Sequence, residues 1–213
     1  MIQADRDSKR LQFPTLYAIL ETLAFRTTAE LMAFAEELRA GGCSLLQYRN
    51  KSGNARVMLE EARALKHHLG DSVRLVMNDR ADLCLAADFD GVHVGQDDLS
   101  PESVRRIIGP ERWLGVSTHN PEQVREADHA AADYVAIGPV FATFSKEKPD
   151  PVVGLEGVRR ARTLTRKPLV AIGGITRSNA ASVIEAGADS VAVISDLLRE
   201  PRKSAEEFLW ILR

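Results

Sequence analysis

The 213-residue sequence has few cysteines and no long apolar run. Its two cysteines, Cys43 and Cys84, each lie inside an apolar stretch. This setting predicts buried, reduced thiols and argues against a disulfide framework or a cysteine metal site. No stretch approaches the roughly 18 apolar residues that span a bilayer. The polar start MIQADRDSKR lacks the apolar core of a signal peptide. We therefore expect a cytoplasmic protein without a membrane partner.

An excess of charge of either sign is also missing. The chain has 28 basic and 30 acidic side chains, a formal net charge of -2, and the two signs are mixed along its length. Such mixing provides no basic surface for nucleic acid or an anionic membrane. Walker A, G-x-G-x-x-G and metalloprotease motifs are absent as well. The sequence therefore argues against a nucleic-acid partner.

What the sequence does contain is a regular alternation of short β-branched runs and helix-period segments, the pattern of parallel strands covered by helices. We predict eight strands: 15–21, 44–50, 73–79, 91–96, 113–118, 133–140, 168–174 and 190–195. The predicted helices are 29–40, 54–69, 81–87, 101–108, 121–131, 154–165, 177–186 and 205–212. The predicted fold is thus α/β, a single-domain (β/α)8 TIM barrel over residues 1–213, in which residues 1–14 form an N-terminal extension.

Carboxylates follow two neighbouring predicted strands. Asp79 closes the third strand, and Asp97 and Asp98 follow the fourth. Because the sites of such barrels lie at the carboxyl ends of the strands, Asp79 and Asp98 should share one rim. Their repulsion would be relieved by a cation, and Mg²⁺ binds through one or two carboxylates together with phosphate and water. We therefore predict Asp79 and Asp98 as Mg²⁺ ligands.

The segment QYRNK places two basic side chains at the end of the second predicted strand, at the same rim. Gln47, Arg49 and Lys51 have the same strand parity, so all three should point into the barrel. Buried cations need an anion nearby. One interpretation is that they form only ion pairs with Asp79 or Asp98. The other is that they cover a polyphosphate that bridges the metal.

Two further segments are suited to phosphate. The loop 138–151 is the longest between a strand and a helix and carries Thr143, Ser145 and Lys146; its alternative interpretation is a solvated loop. Gly173 and Gly174 end the seventh strand and Ser195 ends the eighth, where barrels often bind phosphate through backbone N–H groups.

Ser117 and His119 invite a hydrolase interpretation, which the geometry argues against. A nucleophile elbow would need glycine where His119 stands. Two residues of equal parity on one strand also point in parallel, which is poor for proton transfer between them. We interpret Ser117 as a polar ligand contact and His93 as a core or supporting histidine.

Taken together, these residues resemble the thiamine phosphate synthase family. The resemblance runs from about Leu16 to Leu209 and is carried, in the family's order, by QYRNK, MNDRADL, DGVHVGQDDL, GVSTHN, DYVAIGPVFATFSKEK, AIGGIT and VIS. The family implies a (β/α)8 barrel that joins hydroxymethylpyrimidine diphosphate to thiazole phosphate, releasing pyrophosphate, with Mg²⁺ as cofactor. Its partners would be these small molecules, and the sequence is compatible with a homo-oligomer.

The resemblance also implies residue roles. Asp79 and Asp98 would bind Mg²⁺, and Lys146, Arg49, Lys51 and Ser117 would act in catalysis. The pyrimidine diphosphate would be held by Gln47, Arg49, Lys51, Asn78, Ser117 and Lys146. Thiazole phosphate would be bound by Thr143, Ser145, Gly174, Ile194 and Ser195. The segments that carry these residues add Tyr48, Asn50 and Phe144 to the predicted substrate-binding set.

Three positions depart from the family's usual pattern. Ser145 stands where threonine is usual, Tyr48 replaces a small aliphatic residue, and LYAILE replaces a first strand that ends in Thr-Asp. Two other functions keep part of the pattern. A thiazole tautomerase would need an acid/base such as His119 and no diphosphate clamp, and a non-catalytic sensor of thiamine phosphates would keep only the phosphate loops.

Overall fold

The computed structural model describes residues 13–143 and 150–213. In this part of the chain, eight parallel strands close into one barrel in chain order, with β1 hydrogen-bonded to β8. The strands are β1 (Leu16–Glu21), β2 (Leu45–Arg49), β3 (Arg74–Asn78), β4 (Gly91–Val94), β5 (Trp113–Thr118), β6 (Tyr134–Ile137), β7 (Leu169–Ile172) and β8 (Ser190–Val193). The predicted barrel is confirmed.

One α-helix follows each strand in the described residues. The helices are α1 (Thr28–Ala40), α2 (Ala55–Leu69), α3 (Ala81–Ala86), α4 (Pro101–Ile108), α5 (Pro121–His129), α6 (Gly154–Leu164), α7 (Ala180–Glu185) and α8 (Pro201–Ile211). The largest differences from the predicted bounds concern α7 and α8. The Asn179 side chain accepts a hydrogen bond from the Thr176 backbone, which delays α7. A proline at its first turn lets α8 begin earlier.

Two apolar layers hold the barrel together. Strand residues of one parity pack outward against the helices, and those of the other parity fill the interior, where Ile19, Val76 and Val170 meet three aromatic rings, those of Tyr17, Trp113 and Tyr134. Phe13, which the sequence assigns to an extension, also belongs to this interior cluster. Its ring stacks on Trp113, with centroids 5.3 Å apart.

Both cysteines are buried and free, as the sequence predicts. Burial raises the pKa of the Cys43 thiol to about 11 and that of Cys84 to about 12. The two thiols therefore stay protonated near neutral pH and unreactive. In the described residues, no helix is both long and apolar enough to cross a membrane.

Aspartates recur at the amino-terminal ends of the strands, opposite the predicted site. Asp90, Asp133 and Asp189 directly precede β4, β6 and β8. Each carboxylate accepts a hydrogen bond from a backbone N–H of the preceding strand, at 2.7 or 2.8 Å. The donors are Leu75 for Asp90, Leu114 for Asp133 and Leu169 for Asp189. This repeated bridge ties neighbouring strands at the rim that contributes stability in barrels of this type.

Arg105 of α4 completes one of these bridges. Its guanidinium donates to Asp133 at 2.5 Å and to the carbonyls of Gly109, Arg112 and Ala131. We expect Arg105→Ala to lower the free energy of unfolding by about 2 to 3 kcal/mol, because it leaves the carboxylate and several carbonyls without their charged donor. Urea unfolding measures this loss.

The matched control is Arg106→Ala on the same helix. Arg106 is exposed and donates to Ser103, so its removal should change stability by less than about 0.5 kcal/mol. Equal losses for the two variants would contradict the structural role of Arg105.

Candidate active site

The carboxyl ends of the strands bring the predicted acidic residues together. Asp79 follows β3 directly and Asp98 lies in the turn after β4, where it accepts a hydrogen bond from Gly95 N at 2.8 Å. Partial burial, followed by a hydrogen bond and repulsion from Asp79, raises the pKa of the Asp98 carboxyl group. The two carboxyl groups therefore lie in contact and repel one another when both are ionised.

Lys51 supplies the nearest positive charge. Its ammonium forms an ion pair with Asp79, and its charge also acts on Asp98. The Lys51 side chain is half exposed, so solvent weakens this pair. The ion pair that the sequence offers as one interpretation is thus present, and it leaves the lysine accessible to an anionic ligand at the rim.

Arg49 is held by a residue that the sequence interpretation missed. In the register of the barrel it lies beside Glu21 at the end of β1, and the two side chains form a largely buried ion pair. Burial lowers the pKa of Arg49, while the charge of Asp79 opposes that shift. One Glu21 carboxylate oxygen is buried without a hydrogen-bond partner among the described residues. The first strand therefore contributes a carboxylate to the rim.

Asn78 adds a second unpaired polar atom. It is the last residue of β3, is buried, and its Nδ2 group has no hydrogen-bond partner within the described residues. Buried amide donors are normally paired. An unpaired donor one residue before Asp79 is what a site for an anionic ligand would present.

The predicted phosphate side lies at the ends of β7 and β8. Gly173 and Gly174 both have positive φ, +100° and +63°. A β-carbon on Gly174 would lie 2.5 Å from the Ala142 carbonyl oxygen, so the backbone of this loop packs closely against the loop after β6. Ser195, exposed, opens a 3₁₀ turn directly after Ile194. Gly173, Gly174, Ile194 and Ser195 therefore lie at the same rim, at the carboxyl ends of β7 and β8.

Ser117 does have a histidine partner, but it is His93. The Ser117 Oγ atom lies 2.8 Å from His93 Nε2, across the β4–β5 pair. His119 lies beyond the end of β5, with its Nδ1 2.6 Å from the Gly138 carbonyl oxygen. The prediction that Ser117 and His119 do not form a nucleophile–base pair is confirmed. The hydrogen bond between Ser117 and His93 was not predicted.

Comparison with known proteins gives this arrangement a family. The sequence pattern described as thiamine monophosphate synthase matches residues 16–197. The thiamine-phosphate synthase of Koribacter versatilis is 62% identical over 205 residues, 95% of this chain and 97% of that protein. That of Chloroflexus aurantiacus is 46% identical and covers 76% of each chain.

This chain belongs to the thiamine monophosphate synthase family.

Solved structures agree with that assignment. The thiamine phosphate pyrophosphorylase from Pyrococcus furiosus superposes with a TM-score of 0.82 at 33% identity, covering 93% of this chain and 95% of that one. The 3-hexulose-6-phosphate synthase from Salmonella typhimurium, at 18% identity and a TM-score of 0.72, shares the fold alone. The thiamine monophosphate synthase family resemblance noted from sequence motifs is therefore confirmed.

Two side chains predicted to bind substrate point away from the rim in this thiamine monophosphate synthase family member. Tyr48 is fully buried, and its hydroxyl donates to Glu61 of α2. The Asn50 amide donates to the same tyrosine and carboxylate, at 2.9 and 3.1 Å. Their side chains face α2 because Tyr48 and Asn50 have the opposite strand parity to Gln47 and Arg49. Their role in substrate binding stays a prediction.

Three predicted residues, Phe144, Ser145 and Lys146, lie outside the described residues. Thr143, directly before them, is partly buried on the loop after β6. The proposed roles of these three residues remain predictions.

The donor set at the rim fits a hard divalent cation. Asp79 and Asp98 offer carboxylate oxygens in contact. Partial burial first, and then the interaction with Asp79, raise the pKa of Asp98, and a cation would favour the ionised form of both groups. Within residues 13–143 and 150–213, no group of three or more histidine, cysteine or acidic side chains is arranged to hold a metal. Two carboxylates, with remaining positions filled by substrate phosphate and water, are the usual setting of Mg²⁺.

Proposed function

We propose that this chain is a thiamine-phosphate synthase, a transferase of thiamine biosynthesis. It joins 4-amino-2-methyl-5-(diphosphooxymethyl)pyrimidine to 4-methyl-5-(2-phosphoethyl)thiazole and releases thiamine monophosphate and pyrophosphate. The observation that carries the proposal is the contact between Asp79 and Asp98 beside Lys51, at the rim that also presents the unpaired Asn78 amide. Family membership supplies the identity of the substrates.

The chemistry explains why charge is concentrated at this rim. As the carbon–oxygen bond to pyrophosphate breaks, negative charge grows on the leaving group and positive character on the pyrimidine carbon. Fixed cations that face the leaving group lower this barrier. Arg49, held by Glu21, and Lys51, at the end of β2, would supply them. The thiazole nitrogen forms the new carbon–nitrogen bond, so no protein nucleophile is needed.

Asp79 and Asp98 would hold Mg²⁺, which when bound neutralises charge on the diphosphate oxygens. Ser117 would contact the pyrimidine, while Gly174 and Ser195 would receive the thiazole phosphate through backbone N–H groups and a hydroxyl. Ile194, partly buried beside the interior cluster, would pack against the thiazole. Lys146 is expected to close over the diphosphate, and Ser145 and Thr143 to bind the thiazole phosphate.

Incubation with both substrates, with and without MgCl₂, tests the function. Thiamine monophosphate and pyrophosphate should appear in equal amounts only when both substrates and Mg²⁺ are present. Isomerisation of a thiazole carboxylate phosphate without pyrophosphate release would indicate the tautomerase alternative. Tight binding of thiamine monophosphate without turnover would indicate a sensor. A cytoplasmic location and a homo-oligomeric state remain predictions.

Gly174→Ala tests the phosphate side of the site. The added methyl would meet the Ala142 carbonyl oxygen at 2.5 Å and Phe141 Cβ at 2.8 Å, at a backbone φ of +63°. The loop must shift, because an L side chain is strained there. We expect KM for the thiazole phosphate to rise by about tenfold, with KM for the pyrimidine diphosphate changed less than about twofold.

Gly109→Ala is the matched control. Gly109 also has a positive φ, +76°, but a β-carbon there meets no atom within 4 Å and lies at the end of α4, far from the rim in the barrel. It should lose stability without a change in KM. An unchanged thiazole-phosphate KM in Gly174→Ala would argue against this half of the site.

A further inference from the structure

A continuous chain of hydrogen bonds crosses the barrel interior. Gln47 Nε2 donates to the Tyr17 hydroxyl at 2.7 Å, which lies 3.1 Å from the Tyr134 hydroxyl. The Tyr134 hydroxyl is 3.0 Å from His93 Nδ1, and His93 Nε2 is 2.8 Å from Ser117 Oγ. Five side chains from five different strands are thus linked, and both ends are residues that we assign to the pyrimidine site.

This hydrogen-bond network requires a glycine on β5. His93, Gly115 and Tyr134 are register partners on the adjacent strands β4, β5 and β6. A β-carbon on Gly115 would lie 2.1 Å from Tyr134 Cζ and 2.4 Å from His93 Nδ1. With glycine on the middle strand, the tyrosine and histidine side chains from the two outer strands meet directly.

The interior position of the chain carries an energetic cost. Barrel interiors of this kind are usually filled by branched aliphatic side chains, whereas buried hydroxyl and imidazole groups lose hydration unless they are paired. Burial raises the pKa of both Tyr17 and Tyr134, so both hydroxyls keep their hydrogen. Each hydroxyl therefore has one hydrogen to donate.

The need to pair every buried hydrogen gives this hydrogen-bond network a direction. With Gln47 donating to Tyr17, both hydroxyl hydrogens find an acceptor within the network in one arrangement, in which Tyr17 donates to Tyr134 and Tyr134 donates to His93 Nδ1. A neutral histidine that accepts at Nδ1 carries its hydrogen on Nε2. His93 then donates to Ser117 Oγ. The Ser117 hydrogen remains for another acceptor, and the Gln47 carbonyl oxygen remains as an acceptor itself.

We propose that Tyr17, Tyr134 and His93 are positioning residues that set Ser117 as a hydrogen-bond donor and Gln47 as a hydrogen-bond acceptor toward the pyrimidine. This inference rests on the proposed function. One donor and one acceptor complement an amino group and a ring nitrogen of an aminopyrimidine. A 4-oxo analogue, which replaces the amino donor with an acceptor, would meet the Gln47 oxygen unfavourably and be rejected.

Tyr134→Phe tests the proposal, because it removes the one hydrogen that holds His93 in the Nε2–H tautomer. We expect kcat/KM for the pyrimidine diphosphate to fall by about tenfold, as for one lost hydrogen bond, and the preference for the 4-amino over the 4-oxo substrate to fall as well. KM for the thiazole phosphate should change less than about twofold. Tyr17→Phe should act in the same direction.

Thr118→Val is the matched control. Thr118 is buried on β5 next to Ser117. Its hydroxyl donates to the Ala136 carbonyl oxygen at 2.8 Å and is not part of the hydrogen-bond network from Gln47 to Ser117. Its loss should lower the melting temperature without changing the substrate preference. Equal preferences in Tyr134→Phe and the wild-type enzyme, or an equal loss in Thr118→Val, would overturn the proposal.

A substrate-free measurement separates this inference from the proposed function. The ¹⁵N chemical shifts of the His93 ring should report the Nε2–H tautomer in the wild-type protein and a shift towards Nδ1–H in Tyr134→Phe. An Nδ1–H tautomer in the wild-type protein would overturn the direction of the chain. If the wild-type protein formed no thiamine monophosphate, the proposed function would fail, and with it the assigned pyrimidine, whatever tautomer the spectra showed.

Discussion

Turnover is expected to fall by at least about a hundredfold when either Asp79 or Asp98 is replaced by alanine, with the fold intact. Each change removes a carboxylate from the rim, where the two acidic groups lie in contact, and neither residue belongs to the apolar core. Steady-state rates at limiting Mg²⁺ measure the loss, and circular dichroism checks the fold.

Asp98→Asn should separate activity from stability. The folded-state pKa of Asp98 is raised, so ionisation of Asp98 is less favourable in the folded than in the unfolded protein. This difference lowers the free energy of unfolding at pH values above the folded-state pKa, and the loss disappears as the pH falls below that pKa. A neutral amide removes this loss and can still accept from Gly95. Metal-free Asp98→Asn should therefore melt at the same temperature as the wild-type protein or higher, while it loses activity.

Asp97→Asn is the internal control for this prediction. Asp97 is an exposed neighbour of Asp98 in the same turn, and its charge-neutral form should show a much milder loss of turnover. Near-wild-type rates at limiting Mg²⁺ for both Asp79→Ala and Asp98→Ala would remove the basis for the metal assignment.

Arg49→Ala is expected to lower kcat by about a hundredfold to a thousandfold, since it removes a fixed cation that faces the leaving group. It should also lower the free energy of unfolding by about 3 kcal/mol, because Glu21 is left as a largely buried carboxylate without its partner. Kinetics with both substrates and urea unfolding measure the two effects.

A second substitution distinguishes the two losses. Glu21→Gln combined with Arg49→Ala removes the uncompensated charge, so much of the stability should return while turnover stays low. Arg49→Lys should restore only part of the rate, because an ammonium does not reproduce the planar guanidinium. A double variant with wild-type kcat would mean that Arg49 serves only as a structural partner of Glu21.

Much of the fold could be predicted because its signals are local. Strand runs, helix periods and the prolines after Ser100 and Asn120 depend on neighbours in the chain, and the structure has both α4 and α5 beginning at those prolines. The rule that sites lie at the carboxyl ends of strands then grouped Asp79 with Asp98 correctly. Bounds were less accurate at α7, where an Asn179 side-chain hydrogen bond decides the start.

Strand parity explains which side chains of the QYRNK segment face the barrel interior and which face α2. Gln47 and Arg49 point into the barrel, as their parity predicts, and bond with Tyr17 and Glu21. Tyr48 and Asn50 have the other parity and pair with Glu61 of α2. They entered the predicted set because the motif was carried over as a block, and the alternation of side chains along the strand would have predicted that both face α2.

The sequence by itself determined the eight βα units, the pairing of Asp79 with Asp98 at one rim and the family, because periodicity, strand ends and motif order are all properties of a linear chain. Only the tertiary structure decided which side chains are partners. Glu21 meets Arg49, and Tyr134 reaches His93 over Gly115, through the register of strands that are far apart in sequence. That register is set by closure of the barrel, a property of all eight strands together, and no local pattern contains it.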